Sequence, residues 1–326
     1  MTKSGVLFLL ASLAVSCADS PTTPVPAEGP VMAAADVPAT DPSALQAGCT
    51  VPPFPKTSQT VFQTDVTYNV IGGTALKLDL AAPKNPSSPR PLVVFIHGGG
   101  WDSGSKKAHR TEILRLTSLR YAAATVDYRL APQYRFPAQI QDVACAIDWL
   151  RANATKYGID PGRVAVVGHS AGGELAALYG VAGAAAALHG PCTTPPQSTH
   201  VSGVVAFSTP FDLTNLSLMD ASALQKIVAY LGGSPLVKHW AGIMASPYYH
   251  VGSASPPFFM AHGRYDPLIY VGQSRLMAAK LTKKGVPNTL VQLNISIHDI
   301  LFLDTSPQYM ASTCGMLSFL QSTLKP

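Results

Sequence analysis

The stretch Arg163-Val164-Ala165-Val166-Val167-Gly168-His169-Ser170-Ala171-Gly172-Gly173-Glu174 constrains this chain more than any other. It opens with a short apolar run, the pattern of a strand buried on both faces of a parallel sheet. It closes on Glu174-Leu175-Ala176-Ala177-Leu178-Tyr179, which begins an Ala-rich helix. Between them, Gly-x-Ser-x-Gly imposes a tight strand-to-helix turn, in which Gly168 and Gly172 leave the clearance a strained Ser170 needs. Such a turn lifts the Ser170 hydroxyl off the backbone at the positive end of the next helix. Gly, Ser and Ala are common residues, so the spacing gains its force from the strand–turn–helix context.

The rest of the chain supports a fold of that kind. After two alternating segments at residues 61–69 and 75–81, joined by Ile71-Gly72-Gly73, apolar strands and helical stretches take turns. Strands are expected at 92–96, 122–126, 164–167, 201–207, 257–261 and 289–293. Helices are expected at 110–119, 137–153, 174–188, 271–284 and 308–324. This alternation predicts right-handed βαβ units and a mostly parallel sheet with helices on both faces. The segment 208–255 interrupts it, with a helix near 220–231. A content of 47% hydrophobic and 13% charged residues over 326 positions suits a well-buried core. The formal charge of +5 is scattered, with no basic run longer than Lys106-Lys107 or Lys283-Lys284, which argues against a nucleic-acid partner.

Sites in parallel sheets form at the carboxyl ends of strands, so the residues behind each strand matter most. His97-Gly98-Gly99-Gly100-Trp101 follows one strand. Its glycine N–H groups, those of Gly99 and Gly100 with Gly98 as the other candidate, can join the N–H of Ala171 in an oxyanion hole. Asp266 and His298 follow the strands at 257–261 and 289–293, giving the order Ser170, Asp266, His298. A serine triad needs a histidine to take the serine proton and a carboxylate to hold the imidazole. Of nine histidines six lie after Ser170, and only His298 follows the last strand. His262 is a rival for which a structural hydrogen bond is the expected task. Asp212, behind the 201–207 strand, is the alternative acid, and the Asp299 side chain is expected to point elsewhere. No metal-ligand cluster or dinucleotide fingerprint stands out, so neither metal nor cofactor is expected.

With these stretches in place, the chain resembles an α/β-hydrolase of the esterase/lipase group that carries His-Gly-Gly-Gly. The hormone-sensitive-lipase-like and bacterial feruloyl- or acetyl-esterase-like branches come nearest. The resemblance rests on His97 to Trp101, Asp127 to Pro132 with Phe136-Pro137, Gly168 to Gly173, Pro256 to Asp266, and His298. It departs at Gln133, where relatives carry Glu, and at Ile297-His298-Asp299, which lacks the usual Gly or Phe beside the histidine. The resemblance implies an α/β-hydrolase domain over 51–326 with 208–255 as a short lid, where Trp240, Met244, Tyr248 and Tyr249 either line a substrate pocket or pack on the sheet. It implies a serine carboxylic-ester hydrolase acting on a small-molecule ester, of short-chain or aryl type, through an acyl-enzyme. The alternatives are an arylformamidase-like amidohydrolase and an inactive binding module.

Residues 1–17 read as a targeting segment: Lys3, an apolar Val6 to Val15, and Leu13-Ala14-Val15-Ser16-Cys17. The last resembles a bacterial lipobox, departing at Ala14, and implies lipidation of Cys17. Cleavage after Ala18 is the alternative, and either route takes the protein out of the cytoplasm. A Pro- and Ala-rich tether at 18–50 fits a protein held to the cell envelope by a lipid anchor. Outside the cytoplasm, Cys49, Cys145, Cys192 and Cys314 can form disulfides. In the resembled family the helices carrying Cys145 and Cys314 cover opposite faces of the sheet, which favours Cys145–Cys192 with Cys49–Cys314.

Overall fold

The computed structural model describes residues 45–326 apart from residues 47 and 184. The signal segment, Cys17 and most of the tether therefore lie outside the described residues. Eight strands form one sheet in the order β1-β2-β4-β3-β5-β6-β7-β8. They are β1 (Thr60–Ile71), β2 (Thr74–Pro83), β3 (Arg90–Ile96), β4 (Ala122–Val126), β5 (Ile159–His169), β6 (Gly203–Phe207), β7 (Phe258–Gly263) and β8 (Asn288–Leu293). β1 and β2 pair antiparallel, β2 joins β4 antiparallel, and every later pairing is parallel. This is the α/β-hydrolase fold.

The helices are α1 (Arg110–Thr117), α2 (Ala138–Ala152), α3 (Ala154–Tyr157), α4 (Ala171–Ala182), α5 (Ala221–Leu231), α6 (His239–Met244), α7 (Pro247–His250), α8 (Gly272–Lys283) and α9 (Met310–Leu324). The pleat divides each central strand between two cores. Leu92, Val94 and Ile96 of β3 belong to the core that α2, α4 and α8 cover, while Val93 and Phe95 belong to the one that α1 and α9 cover. All five side chains are fully buried, as a strand covered on both faces requires.

Expected boundaries move by a few residues, and three of the shifts are informative. The helix expected at 174–188 runs instead over Ala171–Ala182, and just beyond it His189 Nε2 donates to the Gly183 carbonyl at 2.5 Å, turning the chain away from the helix axis. The strand expected at 164–167 extends to Ile159–His169, since Arg90 pairs with Ile159 below the apolar run. The packed chain also begins before residue 51. Leu45 reaches the α9 core, and Cys49 is bonded to Cys314 with a Cα separation of 5.7 Å. Cys145 is bonded to Cys192 at 5.2 Å. Cys145 belongs to the α2 core, whereas Cys314 sits on α9, whose Met316 and Leu320 belong to the other, so both expected disulfides form and each serves its own face. Among the described residues no helix is long and apolar enough to cross a membrane.

Candidate active site

Ser170 stands between β5 and α4 at φ 54 and ψ −124, a conformation few non-glycine residues adopt. Its N–H donates to the Phe207 carbonyl at 2.9 Å, and its carbonyl accepts from Glu174 N–H at 3.0 Å. The flanking glycines make the turn possible. A Cβ on Gly168 would lie 2.1 Å from the Gly172 carbonyl oxygen, and one on Gly172 would lie 2.1 Å from that of Ile96. Only bare backbone lets the first turn of α4 press against the end of β3.

The Ser170 hydroxyl donates to His298 Nε2 at 2.8 Å, and His298 Nδ1 donates to Asp266 Oδ2 at 2.8 Å. The other Asp266 oxygen accepts from the N–H groups of Leu268 and Ile269 at 2.9 and 3.0 Å. The acid and histidine loops are joined by backbone: Arg264 N–H donates to Leu293 and Tyr265 N–H to Ile295. Burial acts to raise the Asp266 pKa, but hydrogen bonds from His262 and His298 outweigh it and hold the carboxyl below the usual range. The acid thus stays ionised and fixes the His298 tautomer that presents a bare Nε2 to Ser170.

The rival groups do other work. His262 is fully buried, donates through Nε2 to the Ile269 carbonyl at 2.8 Å and accepts at Nδ1 from Ser274 at 2.7 Å. It braces the acid loop, the structural role expected of it. Asp212 accepts from Thr214 N–H and hydroxyl at 2.9 and 2.6 Å and makes no contact with His298. Asp299 points to solvent, 3.9 Å from His169 Nε2. His169 donates through that nitrogen to the His298 carbonyl at 3.0 Å, and burial, then the neighbouring His298, push its pKa down to about 4. His169, His298 and Asp299 have ligand atoms within 4.8 Å of one another. Both His298 nitrogens are already committed to the relay, so this grouping belongs to it.

A cavity of about 280 Å³ opens beside Ser170. Gly99, Gly100 and Trp101 form one wall, Ala223, Lys226 and Ile227 of α5 another, and Pro210, Leu268 and Ile269 a third. Gly99 has φ 105, and its carbonyl accepts from Ser103 N–H at 3.0 Å, which curls the loop around the cavity. Ala171 is the first residue of α4, whose N–H has no partner inside the helix. Gly98 does not line the cavity, and its carbonyl accepts from His97 Nδ1 at 2.8 Å. Tyr128, from the Asp127–Pro132 stretch, stacks on the His97 ring at 4.2 Å and donates to the His97 carbonyl at 2.9 Å. That stretch shapes the loop.

Of the two readings open for the lid residues, lining the pocket does not hold. None of Trp240, Met244, Tyr248 and Tyr249 lines the cavity; one face of α5 does instead. The four-residue repeat Ala223, Ile227, Leu231 was the available signal. The sequence reading also missed Glu174. This fully buried carboxyl accepts from Trp101 Nε1 at 2.8 Å and lies 3.5 Å from the Tyr230 hydroxyl. The Trp101 and Tyr230 rings stack at 4.4 Å, so one acid ties α4, the oxyanion loop and α5 together.

Comparisons with known proteins agree with this fold. A family model described as BD-FAE matches residues 78–281, which include Ser170 and Asp266 and stop before His298. Esterase LipQ of Mycobacterium tuberculosis is 32% identical over 206 residues, covering 61% of this chain and 48% of its own. Arylacetamide deacetylase of Bos taurus is 41% identical over 130 residues, 38% of this chain and 32% of its own. The chain spans about half the length or less of these curated relatives. Among solved structures, a truncated carbohydrate esterase from gut microbiota superposes with a TM-score of 0.71 at 24% identity, covering 84% of this chain and 100% of its own.

Proposed function

The chain belongs to the BD-FAE family, and on that footing we propose that it is a serine carboxylic-ester hydrolase for short-chain or aryl esters. The observation that carries this reading is the unbroken relay Ser170–His298–Asp266, with 2.8 Å at both steps, opening onto a cavity walled by the oxyanion loop. Ser170 Oγ attacks the acyl carbon while His298 takes its proton. The N–H groups of Gly99, Gly100 and Ala171 receive the oxyanion. His298 then protonates the departing alcohol, and a water activated by the same ring releases the acid from Ser170. The modest cavity, closed by Ala223, Ile227, Leu268 and Ile269, favours small acyl groups.

Purified protein should hydrolyse p-nitrophenyl acetate, and an organophosphate should label Ser170 and stop turnover. If folded protein does neither, the inactive binding module takes the place of the esterase. The name of the deacetylase relative favours a second reading, an amide or formamide hydrolase. An N-formyl-arylamine turned over faster than the ester would select it.

The N-terminal signals extend the proposal. Export followed by lipidation of Cys17 would hold the domain at the cell envelope, a reading supported by Leu13–Cys17, the Pro-rich tether and two disulfides suited to an oxidising compartment. Radiolabelled palmitate should enter the wild type and not Cys17→Ser. Unlabelled wild-type protein free in the periplasm would leave export standing and remove the anchor.

A further inference from the structure

The segment that leads from α5 into the first turn of α6 turns its apolar side chains outward. Leu236, Val237 and Trp240 are 77%, 81% and 72% exposed, whereas Trp101 is 3% exposed. Their backbone is nevertheless well defined: the Val237 and Lys238 N–H groups both donate to the Ser234 carbonyl, at 2.9 and 2.7 Å. Val228 of α5 is 40% exposed as well, and its carbonyl accepts from Gly233 N–H at 2.9 Å where α5 runs into this segment. The surroundings are basic. No Asp or Glu occurs between Asp220 and Asp266, while Lys238 lies within the patch and the Arg135 stem abuts Gly232. Contiguous apolar side chains with a tryptophan and a cationic rim suit the interfacial layer of an anionic bilayer.

Two further observations select that occupant. α9 runs back from the carboxyl edge of the sheet, and Arg163 at the start of the β5 core donates to the Leu324 carbonyl at its far end. Cys314 is one turn into α9, so its bond to Cys49 fastens the N-terminal chain nearer the edge that carries the site and the lid. Residues 18–44, of Pro- and Ala-rich composition, precede that point and lead back to Cys17. A second copy of the chain fits less well. A stable dimer takes roughly 800 Å² per partner, whereas an aromatic contributes about 150–250 Å², and one indole with three aliphatic groups falls short.

We infer that the Ser234–Trp240 turn is a membrane-docking surface that seats the lid side of the domain on anionic lipid. The inference rests on the proposed export and anchoring at Cys17 and gives that anchor a second contact. With the lid side on the bilayer, the cavity wall formed by α5 faces esters that partition into it.

The test uses the unacylated mature chain, residues 18–326, with vesicles of phosphatidylethanolamine and phosphatidylglycerol, and phosphatidylcholine vesicles as the neutral control. The chain should co-sediment with the anionic vesicles, and its tryptophan emission should shift to the blue as the exposed Trp240 indole enters the interface. Leu236→Ser with Val237→Ser should weaken sedimentation at least tenfold and leave p-nitrophenyl acetate hydrolysis in free solution unchanged, which also reports on folding. Trp240→Phe should remove the blue shift while much of the binding remains. Wild-type chain that stays in the supernatant, or serine variants that bind as the wild type does, overturn the docking surface. So does a lipid-free dimer that the serine variants dissociate. Palmitate labelling separates the two readings: label without vesicle binding removes the docking surface alone, and vesicle binding without label removes the anchor alone.

Discussion

At Glu174 the fold buries a carboxyl against two aromatic donors and no cation. Burial holds its pKa well above the usual carboxylate range. Gln offers the same acceptor without a charge, and Glu174→Gln should keep kcat within a few-fold. Glu174→Leu fills the same space but strands the Trp101 N–H, at about 1–3 kcal/mol in stability. Because Trp101 follows Gly100, the oxyanion donors shift with it, and kcat should fall with little change in KM. Steady-state kinetics and unfolding midpoints check this, and a Gln variant as impaired as Leu would show that the charge matters. In the relay itself, Ser170→Ala or His298→Ala should lower kcat by a factor on the order of 10⁶, with the double variant scarcely worse. Asp266→Asn should cost on the order of 10⁴ by favouring the wrong tautomer, and Asp212→Asn almost nothing. These three residues were legible in the sequence because each lies directly behind a strand in a fixed order. Glu174 was not, because its partner Trp101 is 73 positions away and only the fold brings them together.

At the scale of elements, the lid helix α5 and the oxyanion loop form one unit. The Trp101–Tyr230 stack joins them at the base, and Lys226 Nζ meets Asp102 at 2.6 Å at the rim, with the Lys226 stem lying over Gly100. The core strands were readable because parallel strands buried on both faces are continuous apolar runs. The short helices α6 and α7 were not, since six and four residues carry too little periodicity. Trp240 neither lines the cavity nor packs on the sheet, and neither reading could be settled in advance for a related reason: nothing in a lone aromatic says which way its turn faces. The rim pair yields a charge-swap prediction. Lys226→Met keeps the stem and gives up a part-exposed ion pair, so kcat should change by less than about threefold, in line with a surface pair worth about 0–1 kcal/mol. Lys226→Glu opposes Asp102, should splay the rim and should lower kcat further. Adding Asp102→Lys should then restore most of the loss, as coupled neighbours do. A double variant with simply additive effects would show that the pair does not position the loop.

Over the whole molecule, the two faces of the sheet are held differently, and acid should find the weaker one. The disulfide Cys145–Cys192 braces the α2 face, and Cys49–Cys314 pins the entering chain to the α9 face. The pairing was legible only through the family's helix layout, since spacing alone allows three. Removing either bond should cost on the order of 2–4 kcal/mol, read by denaturant unfolding. The α9 face also buries His109, whose ring lies 5.3 Å from that of Phe95 and 5.4 Å from that of Phe302. Neither ring nitrogen has a hydrogen-bond partner among the described residues. Burial, then the facing His97 and His169, push its pKa down to about 3. Glu112, 4.0 Å away, gives no compensation in acid, because burial raises its own pKa to about 6 and leaves it neutral below that. The fold therefore holds His109 neutral while the unfolded chain protonates it near pH 6.5. Its contribution to stability is intact above pH 6.5 and declines as pH falls from there towards about 3. His109→Phe fits the aromatic surroundings and removes the titrating group. Unfolding free energies of the two proteins at pH 7.5, 6, 5 and 4 should diverge by a few kcal/mol as the pH drops, the variant keeping what the wild type loses. Parallel curves would mean that the ring finds a partner when it is charged, and that the acid sensitivity of this face lies elsewhere.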